Sequence, residues 1–228
     1  MRCSGLLLIN GDDEAILLHA SKSYAPRRIY NADGCDGTNN NNNNNNNNDE
    51  EEEDNFLEKI SIPRGKWDSR DIFDYETAIR EFIEETGTVF DGAYVYRRPF
   101  FLRWTDKSVN YTYMIYVALL RGSLRPLIRK PNTFCVKLLR RKHNRYLVEL
   151  EDRRYANKEI SRALCIVPTD HYFRYMRERQ LTKYESSNYL DFFEFVESVK
   201  SEYDKDPGDD RLFFFIQLQW KKRTMIAA

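Results

Sequence analysis

Arg80 to Gly87 (REFIEETG) puts three glutamates and an arginine within eight residues, threaded with Ile79, Phe82 and Ile83. On a helix, Glu81, Glu84 and Glu85 stand at i, i+3 and i+4 and share one face. The three apolar residues take roughly the opposite face, where they can pack on a sheet. Like charges at these spacings repel by a few tenths of a kcal/mol per exposed pair. Such a cluster therefore needs either full solvation or a counter-ion. Oxygen-only ligands on a shared face suit a hard cation, Mg²⁺ or Mn²⁺, which completes its shell with water and phosphate oxygens. The chemistry this points to is metal-assisted attack on a phosphate. The competing reading is a surface helix with its acids in water and an i,i+4 pair such as Glu76–Arg80.

The elements that must position these residues are legible nearby. Ile60 to Pro63 reads as a short strand entering Arg64-Gly65-Lys66. Glycine there lets the backbone approach a ligand or offer a carbonyl to a metal, and Lys66 could meet a phosphate. A loop over Trp67 to Phe73 leads to a helix over Asp74 to Thr86, which Gly87 ends in the left-handed conformation. Gly5 to Asn10 and Glu14 to Ala20 flank Gly11-Asp12-Asp13 and read as a β-hairpin. Ala93 to Trp104 and Val109 to Arg121 read as two strands rich in Tyr, Phe and Val. Cys135 to Leu150 is ambiguous. Glu159 to Val167 reads as a last core strand, Asp170 to Gln180 and Asn188 to Tyr203 as helices, and Leu212 to Trp220 as a docking strand or helix. The second helix would bury Phe192, Phe193, Phe195, Val196 and Val199. Strands with few, separated helices give an α/β/α-type or α+β domain.

The run Gly65 to Val89, GKWDSRDIFDYETAIREFIEETGTV, resembles the Nudix box, Gly-x5-Glu-x7-Arg-Glu-U-x-Glu-Glu-x-Gly-U with U apolar. Gly65, Arg80, Glu81, Phe82, Glu84, Glu85, Gly87 and, loosely, Thr88 match. Asp71 stands in place of the first glutamate, and eight residues rather than seven separate it from Arg80. The resemblance implies an α/β/α sandwich Nudix fold with a mixed central sheet. It also implies Mg²⁺ or Mn²⁺ held by Glu81, Glu84, Glu85 and the Gly65 carbonyl. Arg80 would orient a carboxylate of the box, and Arg64, Lys66 and Trp67 would meet substrate. A base from the box itself or from a loop before the last core strand would activate water. Glu159 occupies that place and reads equally as a surface acid; Glu149, Glu151 and Asp152 are weaker candidates.

Family members hydrolyse a nucleoside diphosphate linked to another group. The opening MRCSGLLLIN, the box and the Tyr-rich strands after it are similar to the baculovirus ADP-ribose pyrophosphatase-like Nudix proteins. The Ile-Pro-Arg-Gly-Lys entry is also similar to mRNA-decapping Nudix enzymes, which carry Ile-Pro-Lys-Gly-Lys or similar. Two activities follow: hydrolysis of ADP-ribose or a relative, and release of m7GDP from capped RNA. A non-catalytic nucleotide- or RNA-binding module is a third class. Tyr94, Tyr96, Trp104, Tyr111 and Tyr113 alternate along strands and read as core before base-stacking residues.

The 228 residues form one domain, 41% of them hydrophobic, with no apolar run long enough to span a membrane. The N-terminus reads as a first strand and not a secretory signal. The four cysteines are scattered, which excludes a disulfide framework and fits a reducing, cytoplasmic compartment, that of a host cell for a viral protein. His19, His143 and His171 make no zinc pattern. Residues 31–55 hold ten consecutive asparagines and a run of six acids, Asp49 to Asp54, and read as a disordered insertion. Formal net charge is zero, so those acids mask an excess of 6 basic residues elsewhere. Much of it lies in residues 121–158, read as a basic, loop-rich insertion. From Arg121 to Arg145 no Asp or Glu interrupts nine Lys and Arg residues, a pattern of polyanion binding or of a solvated surface. Oligomeric state is not legible.

Overall fold

The computed structural model describes residues 2–19, 60–127, 133–141, 144–153 and 163–220. They build a mixed sheet with helices on both faces, the α/β/α sandwich that the box implies. The leading hairpin forms as β1 (Cys3–Ile9) and β2 (Glu14–His19), paired antiparallel. Short strands β3 (Ile60–Ser61) and β4 (Arg64–Lys66) pair with β2 and β1. Helix α1 (Asp74–Thr86) follows, then β5 (Thr88–Tyr96), β6 (Phe100–Asp106) and β7 (Val109–Pro126). The chain continues through β8 (Thr133–Arg140), β9 (Arg145–Arg153), β10 (Ala163–Pro168) and α2 (Thr169–Tyr175). A π-helical turn (Met176–Gln180), β11 (Ser186–Ser187), α3 (Tyr189–Lys205) and β12 (Phe213–Trp220) complete it. The main sheet runs β10-β2-β1-β7-β5-β12-β9-β8, with β6 on the early part of β7 and β11 on β6.

Strand β1 is buried along its whole length because both of its faces are covered, which suits a continuous apolar run. Leu6 and Leu8 join Ala78, Ile79, Phe82 and Ile83 of α1 on one side. Leu7 and Ile9 join Tyr172 and Phe173 of α2 and Phe192 and Phe193 of α3 on the other. In α3, Val196 and Val199 are buried with those two phenylalanines, and Phe195 packs partly buried beside them. Trp104 is buried, and Tyr94, Tyr96, Tyr111 and Tyr113 pack against the same cluster, as their alternation predicts.

Several elements differ from the sequence reading. The stretch Ala93 to Trp104 is not one strand: it breaks over residues 97–99, where Pro99 lacks an amide donor and restricts Arg98. The span 121–158, expected to be loop-rich, carries the end of β7 and the paired strands β8 and β9. Its alternating apolar residues supply the reason, since Val136, Val148 and Leu150 are buried beneath α1. The tail, open between strand and helix, is a strand between β5 and β9, antiparallel to one and parallel to the other. The Asn-rich insertion at 31–55 lies outside the described residues. Among the described residues no helix is long and apolar enough to cross a membrane.

Candidate active site

The site is assembled where β4 lies against β1, with Ser4 opposite Gly65 and Cys3 opposite Lys66. The loop between β4 and α1 is tied down at both ends. The Trp67 amide donates to the Arg2 carbonyl (3.0 Å), and its indole Nε1 donates to the Asp71 carbonyl (2.8 Å). The Asp68 amide donates to Asp71 Oδ2 (3.1 Å). At the start of α1, Glu76 Oε2 accepts from the amides of Ile72 (2.6 Å) and Phe73 (3.1 Å), orphan donors that a helix N-terminus leaves over. Its other oxygen accepts from the Leu138 amide of β8 (2.8 Å). Glu76 is thus a capping residue that ties the helix to the sheet; the Glu76–Arg80 surface pair weighed from sequence is not what these contacts build.

Arg80 is the hub of the cluster. Its guanidinium donates to Asp71 Oδ2 (3.0 Å), Glu81 Oε1 (2.8 Å), Glu84 Oε2 (2.9 Å) and the Lys66 carbonyl (2.8 Å). Arg80, Asp71 and Glu81 are all buried. Burial opposes the charge on Arg80, but the carboxylates of Glu81, Asp71 and Glu84 outweigh it and raise the guanidinium pKa. The Asp71 departure from the box pattern is absorbed here. The shorter side chain, with one extra loop residue behind it, reaches Arg80 and also accepts from the Thr77 hydroxyl (2.8 Å). Removing one member of such a buried set costs about 3–5 kcal/mol, because its partners keep uncompensated charge.

Gly65 sits against the Glu81 carboxylate so closely that a β-carbon there would clash with it. The Arg64 amide donates to Glu85 Oε2 (2.8 Å), which draws the second carboxylate of the EE pair to the same turn. Carboxylates gathered at a glycine cradle fit a hard divalent cation. Among the described residues no three His, Cys, Asp or Glu side chains already converge as a ligand set. Arg80 instead supplies the counter-charge between Glu81 and Glu84.

The residues expected at the site divide into groups. Gly65, Arg80, Glu81, Glu84 and Glu85 come together. Trp67 stands beside them with 40% of its surface exposed. Lys66 contributes its carbonyl to Arg80. The Arg64 guanidinium lies over the rings of Trp104 (4.7 Å) and Tyr113 (5.0 Å). Glu149 is in strand β9 and not a loop; its neighbours Val148 and Leu150 point toward α1, so alternation turns Glu149 away from the box. Glu151 and Asp152 are in the same strand. Glu159 lies outside the described residues. Sequence reasoning missed Thr77 and the Arg2–Asp74 ion pair, whose partners are 72 residues apart.

No family model matches the chain. "Protein ADP-ribose pyrophosphatase ORF38" of Autographa californica nuclear polyhedrosis virus is 45% identical over 217 residues, covering 95% of this chain and 91% of that protein. An "Uncharacterized 24.3 kDa protein" of Orgyia pseudotsugata multicapsid polyhedrosis virus is 46% identical over 216 residues, again 95% and 91%. The MutT mutator protein of Bacillus halodurans superposes with a TM-score of 0.32 at 14% identity, over 76% of this chain and 71% of that one; the assignment does not rest on it. With the box in place and a relative of this identity along nearly the full length, the chain belongs to the Nudix hydrolase superfamily, among the baculovirus ADP-ribose pyrophosphatase-like proteins.

Proposed function

We propose that this protein hydrolyses the pyrophosphate bond of a nucleoside diphosphate linked to another group, with ADP-ribose as the first substrate to test. The Arg80-centred gathering of Asp71, Glu81 and Glu84 against the Gly65 turn carries this reading. The name of the 45% identical viral relative supports the choice of substrate. Glu81, Glu84, Glu85 and the Gly65 carbonyl would hold Mg²⁺ or Mn²⁺. A divalent ion bound there neutralises phosphate oxygens and lowers the pKa of the attacking water. Arg80 holds the carboxylates in place and touches no reacting atom. Lys66 and Trp67, at the mouth of the loop, receive the phosphates and the base, and Arg64 braces the turn from its aromatic platform. Glu159 takes the proton from water as the water oxygen bonds to one phosphorus. The bridging P–O bond breaks, and the leaving phosphate departs with the electron pair.

The test is turnover of ADP-ribose with Mg²⁺ or Mn²⁺, read as AMP and ribose 5-phosphate by anion exchange. Glu84→Gln and Glu85→Gln keep the shape and remove charge, so each lowers kcat by about 10²-fold or more; Glu85→Gln leaves the melting curve near that of the wild type, and Glu84→Gln, which takes a charge from the buried Arg80 set, lowers it while the protein still folds. A fully active Glu85→Gln protein would contradict the assignment. Glu159→Gln lowers turnover without weakening Mn²⁺ binding. A parallel reaction on capped RNA addresses the second reading, release of m7GDP, which the run of cations from Arg121 to Arg145 favours. A protein inactive on both substrates is a binding module that retains the box.

A further inference from the structure

A group of cations outside the site lies on one face of the sheet. Val136, Val148, Phe214 and Ile216 face α1, so alternation turns Lys137, Arg145, Phe215 and Gln217 to the other side. Near α3 that side is covered: Phe213 is buried, with its ring against Tyr203 (5.6 Å). Beyond Phe213 it opens, and Lys137, Arg141, Arg145, Gln217 and Gln219 are exposed. A row of planar groups crosses it from strand to strand. The Arg145 guanidinium lies over Phe215 (5.5 Å), Phe215 packs on Tyr94 (4.9 Å), and Arg121 lies over Tyr94 (5.8 Å) and Tyr203 (5.4 Å). The strand registers place Phe215 opposite both Arg145 and Tyr94.

We propose that this open face of β5, β12, β9 and β8, with Arg121 of β7 at its border, binds single-stranded RNA. Charge complementarity is the first argument. Among the described residues, Arg121, Lys137, Arg141 and Arg145 stand on the face with Glu149, which is paired in register with Lys137, while Asp209 and Asp210 lie at its end. Arg125 is excluded from this set because Asp91 already engages it (2.7 Å). Stacking is the second: guanidinium planes and aromatic rings are the surfaces on which unpaired bases lie. Three strand intervals of about 4.8 Å make the row about 14 Å wide, and four-stranded RNA-binding sheets stack two or three bases. A cavity of about 200 Å³ opens at one end beside Tyr94, Phe215, Arg145, Asn144 and Asp210. That is below the roughly 300–1,000 Å³ of a drug-sized pocket and suits one planar base. The exposed amides of Gln217 and Gln219 both donate and accept, which suits the 2′-hydroxyls that separate RNA from DNA. This face is distinct from the Glu81–Glu85 site and does not depend on that site being catalytic.

The full-length protein is titrated into a fluorescein-labelled, uridine-rich RNA of about 12 nucleotides and followed by anisotropy over a range of salt. Binding that weakens steeply with salt is expected. The Arg121→Gln/Arg145→Gln double variant binds about tenfold more weakly or worse, and its log–log salt slope falls by about 0.7 per cation removed. Hydrolysis of ADP-ribose by that variant stays at the wild-type rate, which also shows that it folds; if the protein proves not to be a hydrolase, an unchanged melting curve replaces that control. Lys137→Gln/Arg141→Gln gives the same direction from the far edge. Three results overturn the proposal: no RNA binding at low salt, binding that both double variants leave unchanged, or equal affinity for DNA of the same sequence. A concentration-dependent dimer that the first double variant abolishes assigns the face to a second copy and overturns it too.

Discussion

At the scale of single residues, Arg80 and Gly65 have complementary tasks. Arg80 gathers carboxylates that would otherwise repel, and Gly65 leaves room for one of them. Glu81 cannot swing aside, because it is buried and one of its oxygens is held by Arg80. Gly65→Ala must therefore displace the Glu81 carboxylate or push β4 off β1. The expected result is a more than about tenfold fall in kcat with weaker Mn²⁺ binding by calorimetry. Wild-type values for both would show that the position of Glu81 does not matter. The EE pair and its arginine were legible because i, i+3 and i+4 neighbours meet on any helix. The partners that Arg80 finds at Lys66 and Asp71 were not, since a loop path decides them.

At the scale of the element, α1 begins and ends by local rules. Gly87 takes φ +62°, its amide donates to the Ile83 carbonyl (3.0 Å), and nothing lies within 4 Å of where a β-carbon would stand. Gly87→Ala should thus act through the backbone alone and cost about 1–2 kcal/mol, read as a lower urea midpoint at constant slope. The first turn of α1 sets a different sensitivity. Burial, then the neighbouring Tyr146 and Glu76, push the Tyr75 hydroxyl up to about 12, and burial raises Tyr116 beside it as well. A raised pKa means that the folded state holds the proton more firmly than the unfolded chain does. The stability it contributes is complete below pH 10, the ordinary value, and is lost as pH climbs through about 12. Tyr75→Phe should flatten that alkaline limb in pH-dependent denaturation. An unchanged limb would place the sensitivity elsewhere. The boundaries of α1 were read correctly from sequence because the closing glycine and the apolar spacing are local signals; the Glu76 cap was not read. Residues Cys135 to Leu150 stayed ambiguous because a short apolar run becomes a strand only when a partner strand takes its hydrogen bonds.

At the scale of the molecule, β12 joins the two halves of the sheet. It lies between β5 and β9, and it brings Phe214 and Ile216 into the core under α1. A chain ending at Leu212 leaves β5 and β9 each without a partner on one side and opens cavities worth about 2–5 kcal/mol for each large side chain lost. Such a truncation should lose its cooperative calorimetric transition and its near-ultraviolet dichroism; a sharp transition would show that β12 is dispensable. By itself, the sequence determined the acidic helix face, its closing glycine, the apolar alternation of the strands and the family, because each depends on residues close together in the chain. Only the tertiary structure decided the strand order, the central place of the tail, the closing of Asp71 and Lys66 around Arg80, and the alignment of the arginine–aromatic row. Those contacts join residues far apart in sequence, and which of them form is settled by the packing of the whole sheet.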